Sequence, residues 1–189
     1  MTTPPPRKAV PPTRLVDRIV AVCEALDQAG VPWALGGALA LAYATNEPRG
    51  TRDIDVNVFV SSANARAVFA SLPAGVVSSD VDVAEAAHRD QVRLWWDATP
   101  IDIFFAADPF HVDVGARCRV VPFEGRRIRV LSSEDLAVFK ALFDRTKDWA
   151  DIEAMIESNA IDLQLAAARL EMLLGNDPRV ERLRNLTAS

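Results

Sequence analysis

Residues 53–60, DIDVNVFV, alternate strictly: Ile54, Val56, Val58 and Val60 fall on one face, and Asp53, Asp55, Asn57 and Phe59 on the other. As a strand this segment has its register decided, because a slip by one residue would turn the aspartates toward the core. Carboxylates at i and i+2 stand on the same side, about 7 Å apart at the backbone, so their side chains can converge on one hard cation. Alone, the pair does not settle function, since acids also guard solvated strand faces and sheet edges.

The residues upstream add a second constraint. Residues 31–35 read as a short buried strand, Gly36 and Gly37 as its tight exit, and 38–44 as an alanine-rich helix. A glycine turn that opens a helix exposes backbone N–H groups and the positive end of the helix dipole, which suits a triphosphate. A third acid, Asp102, stands inside the apolar run PIDIFF, where an unpaired carboxylate is costly and a metal would serve as partner. Glycines for phosphate and carboxylates for magnesium together suit phosphoryl or nucleotidyl transfer.

Around these motifs the periodicities alternate between strand and helix. A helix is expected over 15–29, closed by Gly30, then helices over 63–72 and 83–88. Residues 91–97 and 101–105 read as a hairpin turning at Ala98, Thr99 and Pro100, and 117–123 with 126–131 as a second pair around Glu124 and Gly125. Beyond Ser132 the pattern is helical: Ser132, Ser133, Glu134 and Asp135 form an N-terminal cap, and helices follow over 134–145, 148–158 and 161–174. The fold class is therefore mixed α/β (α+β): a mixed sheet with flanking helices over 14–131 and a helical part over 132–189. Residues 1–13, with five prolines, make a loose tail.

Composition narrows the partners. A net charge of −5 argues against a general nucleic-acid coat, so any nucleic acid must meet a local basic patch. The best is Arg117, Arg119, Arg126, Arg127 and Arg129, which as a hairpin could form a stripe along a phosphate backbone or a solvated face. Two cysteines, Cys23 and Cys118, are too few for a disulfide framework and read as packing residues. The apolar stretch 31–45 is too short to span a bilayer and 1–13 has no apolar signal segment, so a cytoplasmic location is expected. His88 and His111 lack ligand spacing; Trp33, Trp95, Trp96 and Trp149 read as packing anchors ahead of base-stacking platforms.

The order LGGALALAY, TRDIDV, PIDIFF resembles the nucleotidyltransferase superfamily with the DNA polymerase β-like core: a GG turn, a helix, a DxD strand and a later third carboxylate. The segment VLSSEDLAVFKALFDRTKDWADIEAM is similar to the lysine-bearing helix and KDxxDI motif of the AbiEii-like and MenT-type group, which includes bacterial toxins. This resemblance implies that Gly36 and Gly37 hold nucleotide phosphates, and that Asp53, Asp55 and Asp102 hold two Mg²⁺. It makes Asp102 the acceptor of the attacking hydroxyl's proton, and Lys140 a contact to the NTP triphosphate. Lys147, Asp148 and Asp151 match the closing motif, although Asp148 also suits a helix cap and Lys147 with Asp151 an i,i+4 surface pair.

Ala38 departs from the serine or threonine common after the glycines, which removes one phosphate contact. Arg49 and Arg52 flank the acidic strand, where they could neutralise phosphate or RNA or stay solvated. What the resemblance implies is transfer of an NMP from NTP to an acceptor hydroxyl, with tRNA as the acceptor and a cognate antitoxin as partner. An antibiotic-modifying nucleotidyltransferase shares the GG and DxD motifs and is the rival reading. A non-catalytic binding module is the other, but such a module has no physical reason to keep three converging carboxylates.

Overall fold

The computed structural model describes residues 14–187; the expected proline-rich tail, 1–13, lies outside the described residues. A seven-stranded mixed sheet runs in the order β3-β4-β5-β2-β1-β7-β6. Its centre is made by β1 (Trp33–Leu35), β2 (Ile54–Val58) and β5 (Thr99–Phe105). β2 is antiparallel to β1 and parallel to β5, with Asp55 level with Asp102. β4 (Gln91–Trp96) extends the sheet toward the short edge strand β3 (Val76–Val77), and β7 (Arg126–Val130) with β6 (Arg119–Phe123) extends it the other way.

The expected helix over 15–29 is α1 (Leu15–Gln28), which buries Ile19, Val22, Cys23 and Leu26. The GG turn opens α2 (Gly37–Thr45). The alternating strand ends at Val58, and Phe59 leaves it as a buried residue against the ring of His111. A 3₁₀ turn, Ser62–Asn64, leads into α3 (Ala65–Ser71). The next helix is longer than its apolar pattern suggested: α4 (Asp80–Arg89) starts three residues earlier because Ser79 and Asp82 form a reciprocal capping box.

The β4–β5 hairpin corrects the sequence reading in a way that matters for the site. Its turn is the two residues Asp97 and Ala98, with Asp97 at a φ of 50°, and Thr99 and Pro100 already belong to β5. A turn at 98–100 would set Asp102 opposite Trp96; the observed register sets it opposite Arg93. The β6–β7 turn lies at Glu124 and Gly125, as the sequence indicated, both with positive φ as a tight hairpin turn demands. Arg117, however, ends a helix, α5 (Pro109–Arg117), and does not begin β6.

The C-terminal part of the chain folds as α6 (Ser133–Phe143), α7 (Thr146–Glu157), α8 (Leu163–Leu174) and α9 (Pro178–Asn185), the last not anticipated. Ser132 caps α6 and Asp162 caps α8. Asp135, fully buried at the start of α6, accepts hydrogen bonds from Arg117, Arg169 and Ser132, which ties α5 and α8 to α6. Both α6 and α7 pack on α2, so the lysine-bearing helix and the KDxxDI helix flank the helix that the glycines open. Trp33 and Trp149 are buried anchors, but Trp95 is 47% exposed. Among the described residues no helix is long and apolar enough to cross a membrane.

Candidate active site

Three acids converge on one face of the central strands. Asp53 precedes β2, Asp55 lies within it, and Asp102 lies level with Asp55 on β5; each offers a carboxylate oxygen, and these oxygens all lie within 4.8 Å of one another. Asp53 accepts a 2.6 Å hydrogen bond from the hydroxyl of Thr51. Asp55 is largely buried, and burial together with the charges of Asp53 and Asp102 pushes its carboxyl up to about 6, while Lys140 and Lys147 pull the other way. Such a cluster of hard oxygen donors, mutually repelling and partly shielded from water, fits a divalent cation such as Mg²⁺.

The glycine turn presses against this cluster. The backbone N–H of Gly36 donates to the carbonyl of Asp55 at 2.9 Å. Gly37 has a φ of +52°, and a β-carbon there would lie 1.8 Å from Oδ2 of Asp55. Both the conformation and the approach therefore require glycine at 37. No side chain caps α2, so the N–H groups of its first turn stay available to an anion beside the carboxylates. A narrow crevice, lined in part by Leu35, Gly36, Leu39, Thr51, Asp53 and Asp55, borders the turn.

Sequence reasoning left Asp102 in want of a partner, and the fold supplies one that it missed. Arg93 of β4 forks onto Asp102, Nε to Oδ1 at 2.7 Å and Nη2 to Oδ2 at 2.6 Å. The signal was present in the alternation of QVRLWW, but reading it needed the correct turn, since the hairpin register decides which residue faces Asp102.

The second group assembles on α6 and α7. Lys140, only 7% exposed, donates to Oδ2 of Asp151 at 2.6 Å and lies 3.7 Å from Asp148. Buried Asp148 also accepts a fork from Arg145, and Asp151 an additional bond from Arg49. Asp148 does not cap α7, whose N-cap position is Arg145. Asp151 pairs with Lys140 and Arg49, leaving the exposed Lys147 without an acidic partner among the described residues. Arg52 is exposed beside Asp53.

The arginine stripe does not form as one free track. Arg117 pairs with Asp135, Arg126 with Glu24 and Arg129 with Asp27, while Arg119 donates to the carbonyl of Tyr43. Arg127 is alone among the five in that its side chain makes no hydrogen bond or ion pair among the described residues. The cysteines behave as packing residues, with burial pushing the thiols of Cys23 and Cys118 up to about 12.

Residues 20–187 match the protein family described as "Nucleotidyl transferase AbiEii toxin, Type IV TA system". The chain belongs to this AbiEii family. As a member it is a nucleotidyltransferase, with a nucleotide triphosphate as substrate. The fold agrees with solved nucleotidyltransferases. The antibiotic-resistance factor ANT(2″)-Ia, in complex with adenylyl-2″-tobramycin, superposes with a TM-score of 0.52 at 17% identity, over 89% of this chain and 94% of that one. The lincosamide adenylyltransferase LnuA, lincomycin-bound, gives 0.52 at 16% identity, over 73% of this chain and 94% of that one. Curated protein sequences hold no match to this chain.

Proposed function

We propose that this AbiEii-family protein transfers a nucleoside monophosphate from an NTP to a hydroxyl of tRNA, acting as the toxin of a toxin–antitoxin pair. The observation that carries the transfer chemistry is the set of three carboxylates, with oxygens within 4.8 Å of one another, beside an uncapped helix start. Asp53, Asp55 and Asp102 are the ligands for Mg²⁺. The chemistry that such a cation supplies when bound is activation of the acceptor oxygen and neutralisation of charge on pyrophosphate.

The chain's own residues do the rest. The N–H groups at the start of α2 bind the triphosphate, and Gly37 leaves room beside them for the carboxylate of Asp55. Lys140 sets an ammonium near these phosphates, held by Asp151 and Asp148 until an anion competes for it. The acceptor hydroxyl attacks the α-phosphorus in line, its proton passes to Asp102, and the bond to the β-phosphate oxygen breaks to release pyrophosphate. Lys147 and Arg52, both exposed near the acids, add cations around the departing charge.

Support for a macromolecular acceptor comes from the open sheet face beside the acids. By register, Val77 and Trp95 share that face with Asp102, and they are 71% and 47% exposed. An open shelf of this kind admits an RNA end more readily than it encloses a small molecule. Incubation with each labelled NTP, Mg²⁺ and tRNA tests the proposal: label on tRNA supports it, whereas label only on an added aminoglycoside or lincosamide transfers the reading to small acceptors. Growth arrest on expression, relieved by a neighbouring gene product, tests the toxin role.

A further inference from the structure

We propose that Arg93 is an exchangeable counter-ion of the carboxylate cluster: its guanidinium holds Asp102 in the free protein and must leave it when a divalent cation loads. The proposal rests on the reading of Asp53, Asp55 and Asp102 as metal ligands. It concerns a residue outside that ligand set, on a different strand.

The geometry is specific. The fork engages both oxygens of Asp102, at 2.7 and 2.6 Å, and thus the atoms that a metal would need. Hydrogen bonding to Asp102, its charge, and the further charges of Asp53 and Asp55 all favour the ionised guanidinium, so Arg93 answers to the whole cluster. Three carboxylates and one guanidinium leave two negative charges. A dication that entered beside a retained Arg93 would face a like charge on a shared ligand, at a spacing where repulsion is strong.

The exit is open. The Arg93 side chain is 51% exposed while that of Asp102 is only 17% exposed, so the guanidinium can swing to solvent and leave the carboxylate in place. On β4 it stands between Gln91 and Trp95, both exposed on the same face. A metal arriving alone must therefore displace an ion pair. One arriving with NTP gains phosphate ligands that offset this cost, so the free protein binds the cation weakly and fills the site together with nucleotide.

Mn²⁺ binding followed by electron paramagnetic resonance at pH 8, without nucleotide, tests this in the parent, Arg93→Met and Arg93→Lys. Loss of a partly exposed bidentate competitor should tighten Mn²⁺ binding about tenfold in Arg93→Met. Arg93→Lys, which cannot fork, should fall between. Without metal, Arg93→Met should melt lower than the parent, and saturating Mn²⁺ should remove that difference. Equal or weaker Mn²⁺ binding in Arg93→Met overturns the exchange, and Arg93→Lys decides in the same way if the methionine variant does not fold. Absence of Mn²⁺ binding in every protein, even with a non-hydrolysable NTP, overturns the metal reading itself and is thereby distinguishable.

Discussion

Gly37 and Asp55 touch: a β-carbon at position 37 would fall 1.8 Å from Oδ2 of Asp55, and the backbone at 37 has a φ of +52°. The glycine turn and the acidic strand are therefore one device, in which the absent side chain makes room for the carboxylate. Gly37→Ala should cost about 1–3 kcal/mol of stability through the left-handed backbone alone, and should abolish transfer by displacing Asp55. Thermal melts and label-transfer assays check this, and a folded, fully active Gly37→Ala protein would contradict it.

Asp55→Asn should abolish transfer yet stabilise the metal-free protein. Its carboxyl is raised to about 6 by burial and by Asp53 and Asp102, so keeping it charged at pH 8 opposes folding. Removing that charge should raise stability by about 1–3 kcal/mol, a gain that shrinks as pH falls through 6 because the parent then protonates. A metal-free melt lower than the parent's at pH 8 would count against the assignment.

Lys140 should prove structural as well as functional. Lys140→Ala leaves Asp151 with Arg49 alone and removes one partner of buried Asp148, which should cost about 1–3 kcal/mol. Lys140→Met combined with Asp151→Asn should recover much of that stability without recovering NTP use. Lys147→Ala should change stability little, since Lys147 is exposed and without an acidic partner among the described residues. Full NTP use by the double variant would remove Lys140 from the site.

His111 predicts a pH dependence away from the acids. Its ring lies against Phe59 and Phe139, its Nε2 finds no hydrogen-bond partner among the described residues, and burial holds its pKa below the ordinary value despite Asp108 and Asp90. The unfolded chain therefore binds the proton more readily. The stability contributed by the neutral ring is present above about pH 6.5 and is lost as pH falls. Melting temperatures between about pH 7 and 5 should fall less steeply for His111→Phe than for the parent; parallel curves would exclude the histidine as cause.

Arg127 separates an RNA track from a structural surface. Arg127→Glu should leave the melting temperature unchanged and lower the log-log salt slope of tRNA binding by about one. Arg117→Glu should instead unfold the start of α6, because Asp135 is fully buried against it. An unchanged salt slope in Arg127→Glu would remove this hairpin from the acceptor site.

Much of the site was legible in the sequence because its residues are local. Alternation over 53–60 places Asp53 and Asp55 on one side of a strand, the glycines punctuate a strand-to-helix turn, and a charge inside PIDIFF announces itself by its cost. The cap at Ser132 indicated α6, and the helical pattern beyond it α8, within about two residues. What hydrophobic period could not show was α5, entered through the side-chain cap of Asp108, and α9, where charged residues outnumber the apolar Val180 and Leu183 that face the core.

Tertiary structure alone decided the partners. A two-residue turn, not a three-residue one, brings Arg93 onto Asp102, and shifting a hairpin register costs nothing that composition records. Packing of α1 against the β6–β7 hairpin brings Glu24 to Arg126 and Asp27 to Arg129, across 102 residues of sequence in each case, and so divides what reads as a basic stripe. Lys140 is turned from a free cation into a held one by Asp148 and Asp151 of the next helix. The sequence by itself determined which residues carry charge and which face of their own element they occupy, since both follow from covalent geometry and period. Which opposite charge meets each of them was decided only when the elements packed, because ion pairs form between side chains that folding, not the chain, makes neighbours.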